Sequence, residues 1–118
     1  MDTEMMNMKV LFIVLNSEEH IDDLLIKFNS SGIHGGTIVN SLGMAQTMAD
    51  HSQGATFNYL RGMMSGGRPQ NKTIFLVLPD EKLDIAKQCV REVVGDLNGE
   101  NIGIMFDFTI DNVEGLTK

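Results

Sequence analysis

The sequence contains little cysteine and no long apolar run. Its single cysteine, Cys89, cannot form a disulfide within the chain, so we expect a reducing compartment, the cytoplasm. No apolar run approaches the roughly 20 residues that a membrane-spanning helix needs, and we predict no insertion into a membrane. The acidic start of the chain lacks the basic region of a signal peptide. It predicts a leader at 1–8, ahead of the first strand.

Positive charge is also scarce. Lys and Arg number 9 against 16 Asp and Glu, which gives a formal net charge of −7. Because binding to nucleic acid needs clustered cations, we expect no nucleic-acid partner. Residues 44–71 are the exception: Asp50 stands against Arg61 and Arg68, a local charge of +1 that leaves −8 on the rest. An anionic ligand or an acidic partner would be attracted to this stretch.

The sequence motifs of common catalytic and metal sites are missing as well. There is no P-loop, no Cys-x-x-Cys pair and no arrangement of Ser, His and Asp that indicates a catalytic triad. The histidines His20, His34 and His51 are too scattered for a metal signature, and we predict no metal site. We expect a protein that is not an enzyme.

Two apolar runs, 63 positions apart, indicate an internal repeat. Residues 9–15 and 72–78 are both continuous apolar segments of strand length, and Lys, Phe, Val and Leu coincide between them. Runs of this kind are typical of central strands that are buried on both faces. We predict that they form the centre of one sheet.

Each apolar run is followed by a helix and by a second strand. We expect Asn16 to cap the first helix and Gly32 to end it, and Asp80 and Gly95 to do the same for the second. Apolar and polar residues alternate through 102–110, which is typical of a half-buried strand. The remaining strand is predicted at 37–42.

This order of elements predicts an α+β fold, the ferredoxin-like βαβ-βαβ sandwich. We expect a single domain over 1–118, in which both helices cover one sheet face. A bare apolar sheet face is rarely left in water, so we predict an oligomer that covers the other face. The predicted parts are a first βαβ unit at 9–43, a long connection at 44–71, a second unit at 72–110 and a tail at 111–118.

Beyond the layout, one segment carries a more specific signal: residues 35–44 read Gly-Gly-Thr-Ile-Val-Asn-Ser-Leu-Gly-Met. This segment resembles the second strand of the P-II (nitrogen regulatory) signalling proteins. The long connection follows at the point where that family has its T-loop. Residues 99–106 stand where it has its B-loop and fourth strand, and the resemblance spans residues 8–116. It implies a homotrimer with inward-facing sheets and small-molecule sites in the clefts between subunits. It also implies a T-loop that docks on a transporter, an enzyme or a regulator.

The resemblance implies which residues bind the effector. In that family the site holds ATP through positive side chains, and the corresponding positions here are Gln46, Ile102 and 112–114, which carry no positive charge. Charge-assisted contacts contribute most of the binding energy for phosphate. The family resemblance therefore implies an adenine nucleotide, but the residues at these positions do not support one. The expected ligand-binding residues are Gly35, Gly36, Thr37, Ser41, Gly43, Met44, Gln46, Gly99, Glu100 and Asn101.

The T-loop-like connection carries the predicted docking residues. It holds four of the nine methionines, and methionine-rich surfaces repack readily against partners. Tyr59 either packs locally or on the partner, or is a site of modification. The residues expected to carry docking are Tyr59, Leu60, Arg61, Met63, Met64 and Arg68.

Two other classes of protein share the predicted fold. An acylphosphatase-like enzyme would need an anion-binding arginine near Asn16, and the first turn has none. A CutA-like, metal-linked trimer would need clustered ligands, and proteins of that kind lack the long loop.

Overall fold

The computed structural model describes residues 7–16, 18–44, 71–99 and 102–116. The sheet begins one residue earlier than predicted, inside the expected leader, because Met8 pairs with Pro79 and its carbonyl accepts the Ile110 N–H at 3.2 Å. Within the described ranges the elements are β1 (Met8–Leu15), α1 (Ile21–Ser30), β2 (Thr37–Ser41), β3 (Asn71–Pro79), α2 (Asp80–Val94) and β4 (Gly103–Thr109).

The two copies of the repeat form the centre of an antiparallel sheet. The strand order is β2-β3-β1-β4. β1 pairs with β3 along its whole length, and β4 and β2 pair antiparallel on the outer sides. With one helix after β1 and one after β3, this is the ferredoxin-like arrangement. The predicted fold class is confirmed.

Both helices pack on the same face of the sheet. Alternate residues of the central strands supply that face, and one side of each helix covers it. α2 also contacts the turn that ends α1: Lys82 Nζ donates to the Gly32 carbonyl at 2.9 Å, and the buried Cys89 Sγ lies 3.4 Å from Ser31 Oγ. The core includes Leu11, Ile13, Leu15, Leu24, Phe28, Ile74, Leu76, Ala86 and Val90.

The predicted N-terminal caps of both helices are wrong. α1 has His20 at its N-cap position, and α2 has Pro79; neither makes a side-chain capping hydrogen bond. Asn16 lies before the N-cap position of α1, and its backbone N–H donates to the Ile102 carbonyl at 3.1 Å. Asp80 is already the first helical residue of α2. Strand pairing therefore sets where the chain leaves the sheet, and the helices start after that point.

Both helices end at the predicted glycines. Gly32 has φ +84° and Gly95 has φ +91°, a conformation that L side chains rarely adopt. After α1, the Gly32 N–H donates to the Asn29 carbonyl and the Ile33 N–H donates to the Phe28 carbonyl, which is a Schellman motif. Ile33 and Phe28 are both buried, so this turn also closes the core.

Candidate functional site

The sheet face opposite the helices is apolar and open. Phe12 lies at its centre, and its ring centroid is 5.3 Å from that of Phe75, 5.2 Å from that of Phe106 and 5.9 Å from that of Phe108, all in stacked geometry. The register of the strands places further apolar residues on the same face: Val14, Val39, Val77 and Ile104. We call these residues and the four phenylalanines the open face.

β4 contributes most to the exposure of the open face. The predicted alternation in this strand is confirmed, and its apolar residues point away from the helices: Ile104 is 58% exposed and Phe106 and Phe108 are each 45% exposed. Met105 and Asp107 point to the helix side and are half-buried. An apolar surface of this kind usually marks an interaction site.

The predicted ligand-binding residues lie on two opposite edges of the sheet. Thr37 and Ser41 belong to β2, one edge strand, whereas Gly99 precedes β4, the other edge strand. β3 and β1 lie between them, and with strands about 4.8 Å apart the two edges are about 14 Å from each other. A single chain therefore does not bring the two groups together.

The end of β2 and the start of β4 lie at the same end of the sheet. Asn40, Lys72, Leu15 and Gly103 form one row across it, and the pair Ser41 and Asn71 lies one position further along. The connection that follows Met44, which is 78% exposed, leaves from this end and returns to it at Asn71. Gly43 and Gly99 lie here too, whereas Gly35 and Gly36 precede β2 at the opposite end.

Polar contacts fix β2 to β3 at this end. The Lys72 side chain is largely buried; its Nζ donates to Asn40 Oδ1 and lies 3.6 Å from Glu18 Oε1. Ser41 Oγ lies 2.9 Å from Thr73 Oγ1. The Ser41 hydroxyl, a predicted ligand-binding group, is therefore already engaged within the sheet.

The two predicted glycines ahead of β2 differ in their surroundings. A Cβ at Gly36 would lie 2.5 Å from Leu76 Cδ2, whereas a Cβ at Gly35 would meet open space. Both line a groove of about 180 Å³ between α1 and β2, together with Leu25 and Ile38. A larger residue at Gly36 would therefore require Leu76 to shift, whether or not a ligand binds.

Gly99 lies in a tight turn before β4. Its N–H donates to the Asp96 carbonyl at 3.1 Å, and a Cβ here would lie 2.9 Å from Ile102 Cδ1. It lines a recess of about 260 Å³ together with Asn16 and Gly103. The other predicted site residues lie outside the described ranges: Gln46, Glu100, Asn101, Tyr59, Leu60, Arg61, Met63, Met64 and Arg68.

Sequence reasoning missed a cleft at the outer edge of β4. It encloses about 710 Å³ and is lined by backbone and side chains from the end of α2, the following turn and β4. Arg91, in the last turn of α2, contributes the positive charge. No sequence signal marked Arg91 as a site residue, because basic residues are common near helix C-termini. The lining residues are Arg91, Gly95, Asp96, Leu97, Asn98, Gly103, Ile104 and Met105.

The described ranges lack two further features. None of their helices has the length and apolar character needed to cross a membrane. The same ranges contain no group of three or more His, Cys, Asp or Glu side chains that could hold a metal ion.

Two helices on one face of the sheet and an open apolar face on the other define a ferredoxin-like domain. Among solved structures, the chain is similar to Arabidopsis thaliana PII bound to citrate, with a TM-score of 0.61 and 10% sequence identity over 89% of this chain and 78% of that one. It is also similar to a B. subtilis GlnK–ATP complex, with a TM-score of 0.57 and 14% identity over 88% of this chain and 82% of that one.

The chain therefore has the P-II fold, and the resemblance read from its sequence is confirmed at the level of the fold. No protein-family model matches the sequence. No curated protein matches it either.

Proposed function

We propose that the chain is a P-II-like signal-transduction protein of the cytoplasm, a regulator and not an enzyme. In this proposal it forms a homotrimer, binds a small effector between subunits and docks on a partner protein through the connection at 44–71. The observation that carries the proposal is the open face on a domain with the P-II fold.

The open face supports assembly. Each exposed phenylalanine of β4 keeps a large apolar area in water, and burial of such area contributes about 25 cal/mol per Å². Helices cover the other face, so the sheet can be closed only by another surface that is also apolar. Copies of the same chain supply that surface when their sheets face inward, as the resemblance implies.

The positions of the predicted ligand-binding residues support a site shared between subunits. Within one chain the β2 group and Gly99 lie on opposite edges of the sheet. In a ring of subunits, the β2 edge of one copy approaches the β4 edge of the next. We infer that the effector site is complete only in the assembly.

The connection at 44–71 begins and ends at the end of the sheet that carries Gly43 and Gly99. Effector occupancy at that end would therefore change the surroundings of both ends of the connection. This placement favours a role for the connection in reporting occupancy to a transporter, an enzyme or a regulator.

The first experiment combines light scattering with thermal-shift screening of the full chain. We expect a trimer at micromolar concentration and a specific rise in melting temperature with one small effector. The panel contains ATP, cyclic dinucleotides, 2-oxoglutarate and divalent metals. A monomer would contradict the assembly, a shift with metals alone would favour a CutA-like protein, and turnover of an acyl phosphate would favour the enzyme.

Deletion of residues 54–66 tests docking separately. The deleted chain should remain trimeric and keep its effector-induced shift, while binding to the partner that the full chain captures is lost. Unchanged binding to that partner would contradict the docking role without affecting the proposed effector site.

A further inference from the structure

We propose that the side-chain pair of Glu18 and Lys72 links the β4 edge of the sheet, which carries Gly99, to both ends of the connection at 44–71. Lys72 is the positioning residue of this link. The inference rests on the proposed function, because it names the route by which effector occupancy at the β4 edge reaches the connection.

The link begins at the turn before β4. Gly99 lies against the Ile102 side chain, and the two residues line one recess together with Asn16. The Ile102 carbonyl accepts the backbone N–H of Asn16 at 3.1 Å. Because Asn16 directly follows β1, this hydrogen bond holds the turn between β1 and α1 against the segment that precedes β4. A displacement of Ile102 therefore acts on that turn.

Glu18 carries the link from this turn to β3. Its backbone carbonyl accepts the N–H of Ile21, the first residue of α1, at 3.1 Å, and its Oε1 lies 3.6 Å from Lys72 Nζ. The Glu18 side chain is 63% exposed, whereas that of Lys72 is only 19% exposed. A largely buried ammonium is destabilised when a partner leaves it. A displacement of Glu18 is therefore transmitted to Lys72.

Lys72 joins the two strands that flank the connection. It is the second residue of β3, directly after the connection, and its Nζ donates to Oδ1 of Asn40, near the end of β2. Ser41 Oγ lies 2.9 Å from Thr73 Oγ1 and joins the same two strands. The two edges of the sheet are about 14 Å apart, too far for direct contact between their side chains. The Glu18–Lys72 pair spans this separation at the end of the sheet where the connection begins and ends.

The experiment is a double-mutant cycle on the full chain, without any effector, read by amide hydrogen exchange. Gly99→Ala requires Ile102 to shift, because the added Cβ would lie 2.9 Å from Ile102 Cδ1. We expect it to speed the exchange of the Lys72 and Thr73 amides at least about twofold. Glu18→Gln removes the charge of the pair with little change of size. In the Glu18→Gln background, Gly99→Ala should no longer change these rates, whereas a purely structural ion pair would give additive effects.

Glu92→Gln is the matched control, because it removes the carboxylate of another lysine pair, 2.8 Å from Lys27 Nζ in the helix layer. In that background Gly99→Ala should keep its full effect. Ile102→Val, which alters the same contact without an added Cβ, should depend on Glu18 in the same way.

The link is refuted if Gly99→Ala has equal effects with and without the Glu18 carboxylate, or if it leaves the exchange of Lys72 and Thr73 unchanged in the otherwise unmodified chain. Because no effector is added, these outcomes concern the link alone. A chain that binds no effector would instead contradict the proposed function.

Discussion

At the scale of single residues, substitutions at Gly36 and Gly35 distinguish an effect on packing from an effect on ligand binding. A Cβ at Gly36 would lie 2.5 Å from a methyl group of Leu76, which is buried in the core. Gly36→Ala must therefore displace Leu76, and overpacking of this kind costs about 1–3 kcal/mol. We expect a loss of that size in the free energy of unfolding, measured with urea.

Gly35→Ala provides the control, because a Cβ there meets open space. Its unfolding free energy should stay within about 0.5 kcal/mol of that of the unmodified chain. Equal losses in the two variants would show that Leu76 does not constrain this turn. If Gly35→Ala instead weakens binding of an effector while the chain stays stable, Gly35 is the glycine that belongs to the site.

Some residue-level expectations could not have been right from the sequence alone. Asn16 has a sequence context suited to a helix cap, but its N–H is taken by Ile102, more than 80 positions away. Capping signals are local in the sequence, whereas the strand pairing that fixes the position of Asn16 involves residues far away in the sequence. Arg91 was missed for the converse reason: only the fold shows that it lines a cleft.

At the scale of elements, an ion pair joins α2 to β4. Lys87 Nζ lies 2.6 Å from Asp107 Oδ2, and both side chains are about three-quarters buried. Asp107→Asn leaves the lysine without its counter-ion in a half-buried position, so we expect the unfolding free energy to fall by about 1 kcal/mol. Asp84→Asn, on the exposed side of α2, should change it by less than about 0.5 kcal/mol. Equal effects would contradict a stabilising role for the pair.

A second pair joins the two helices and makes a prediction about pH. Lys27 Nζ lies 2.8 Å from Glu92 Oε1, and this hydrogen bond, then one from Gln88, lowers the pKa of Glu92 below its ordinary value of 4.5. A lowered pKa means that the contact stabilises the fold above about pH 4.5 and that this contribution is lost as the pH falls through the folded-state pKa. The effect on stability is small because the pair is exposed.

The relative size of the Lys27 and Gln88 contributions to the pKa of Glu92 can be tested by NMR titration of the Glu92 carboxyl carbon. Lys27→Gln should raise the pKa of Glu92 towards 4.5, and Gln88→Ala should raise it less, because Lys27 is the larger cause. A pKa that rises more in Gln88→Ala would contradict this ranking. The Lys27 amine, whose pKa the same contact raises, would lose its contribution only above about pH 10.5.

The order of elements could be predicted because the repeat and the helix-ending glycines are local signals. The apolar runs at 9–15 and 72–78 became β1 and β3, the central pair, and Gly32 and Gly95 end the helices. The alternation in β4 predicted a half-buried strand, but a period of two does not say which face meets the helices. Only the pairing with β1 shows that Phe106 lies next to Phe12 on the open face.

At the scale of the whole molecule, the layout that the resemblance predicted is confirmed, whereas the site stays a prediction. The chain has the P-II fold, yet the residues expected to bind an effector are split between two edges of one sheet. Sequence spacing cannot reveal this separation, because it arises from the strand order. If the site is completed by a second copy, loss of assembly must abolish effector binding even when every ligand-binding residue is intact.

Phe106→Asp tests this dependence. Phe106 is 45% exposed in the single chain, so the variant should fold, as shown by an unchanged circular dichroism spectrum. In an assembly closed through the open face, the new carboxylate would be buried without a partner, which costs several kcal/mol at each contact. Light scattering should therefore show monomers, and the effector-induced rise in melting temperature should disappear with them.

Ile26→Asp is the matched control, since Ile26 is 66% exposed on α1, in the helix layer on the other side of the sheet. This variant introduces the same charge and should keep both the oligomeric mass and the effector response. If Ile26→Asp dissociates the protein and Phe106→Asp does not, the helices form the interface and the open face has another role. If Phe106→Asp is monomeric but still responds to the effector, the site is complete within one chain and the shared-cleft proposal is wrong.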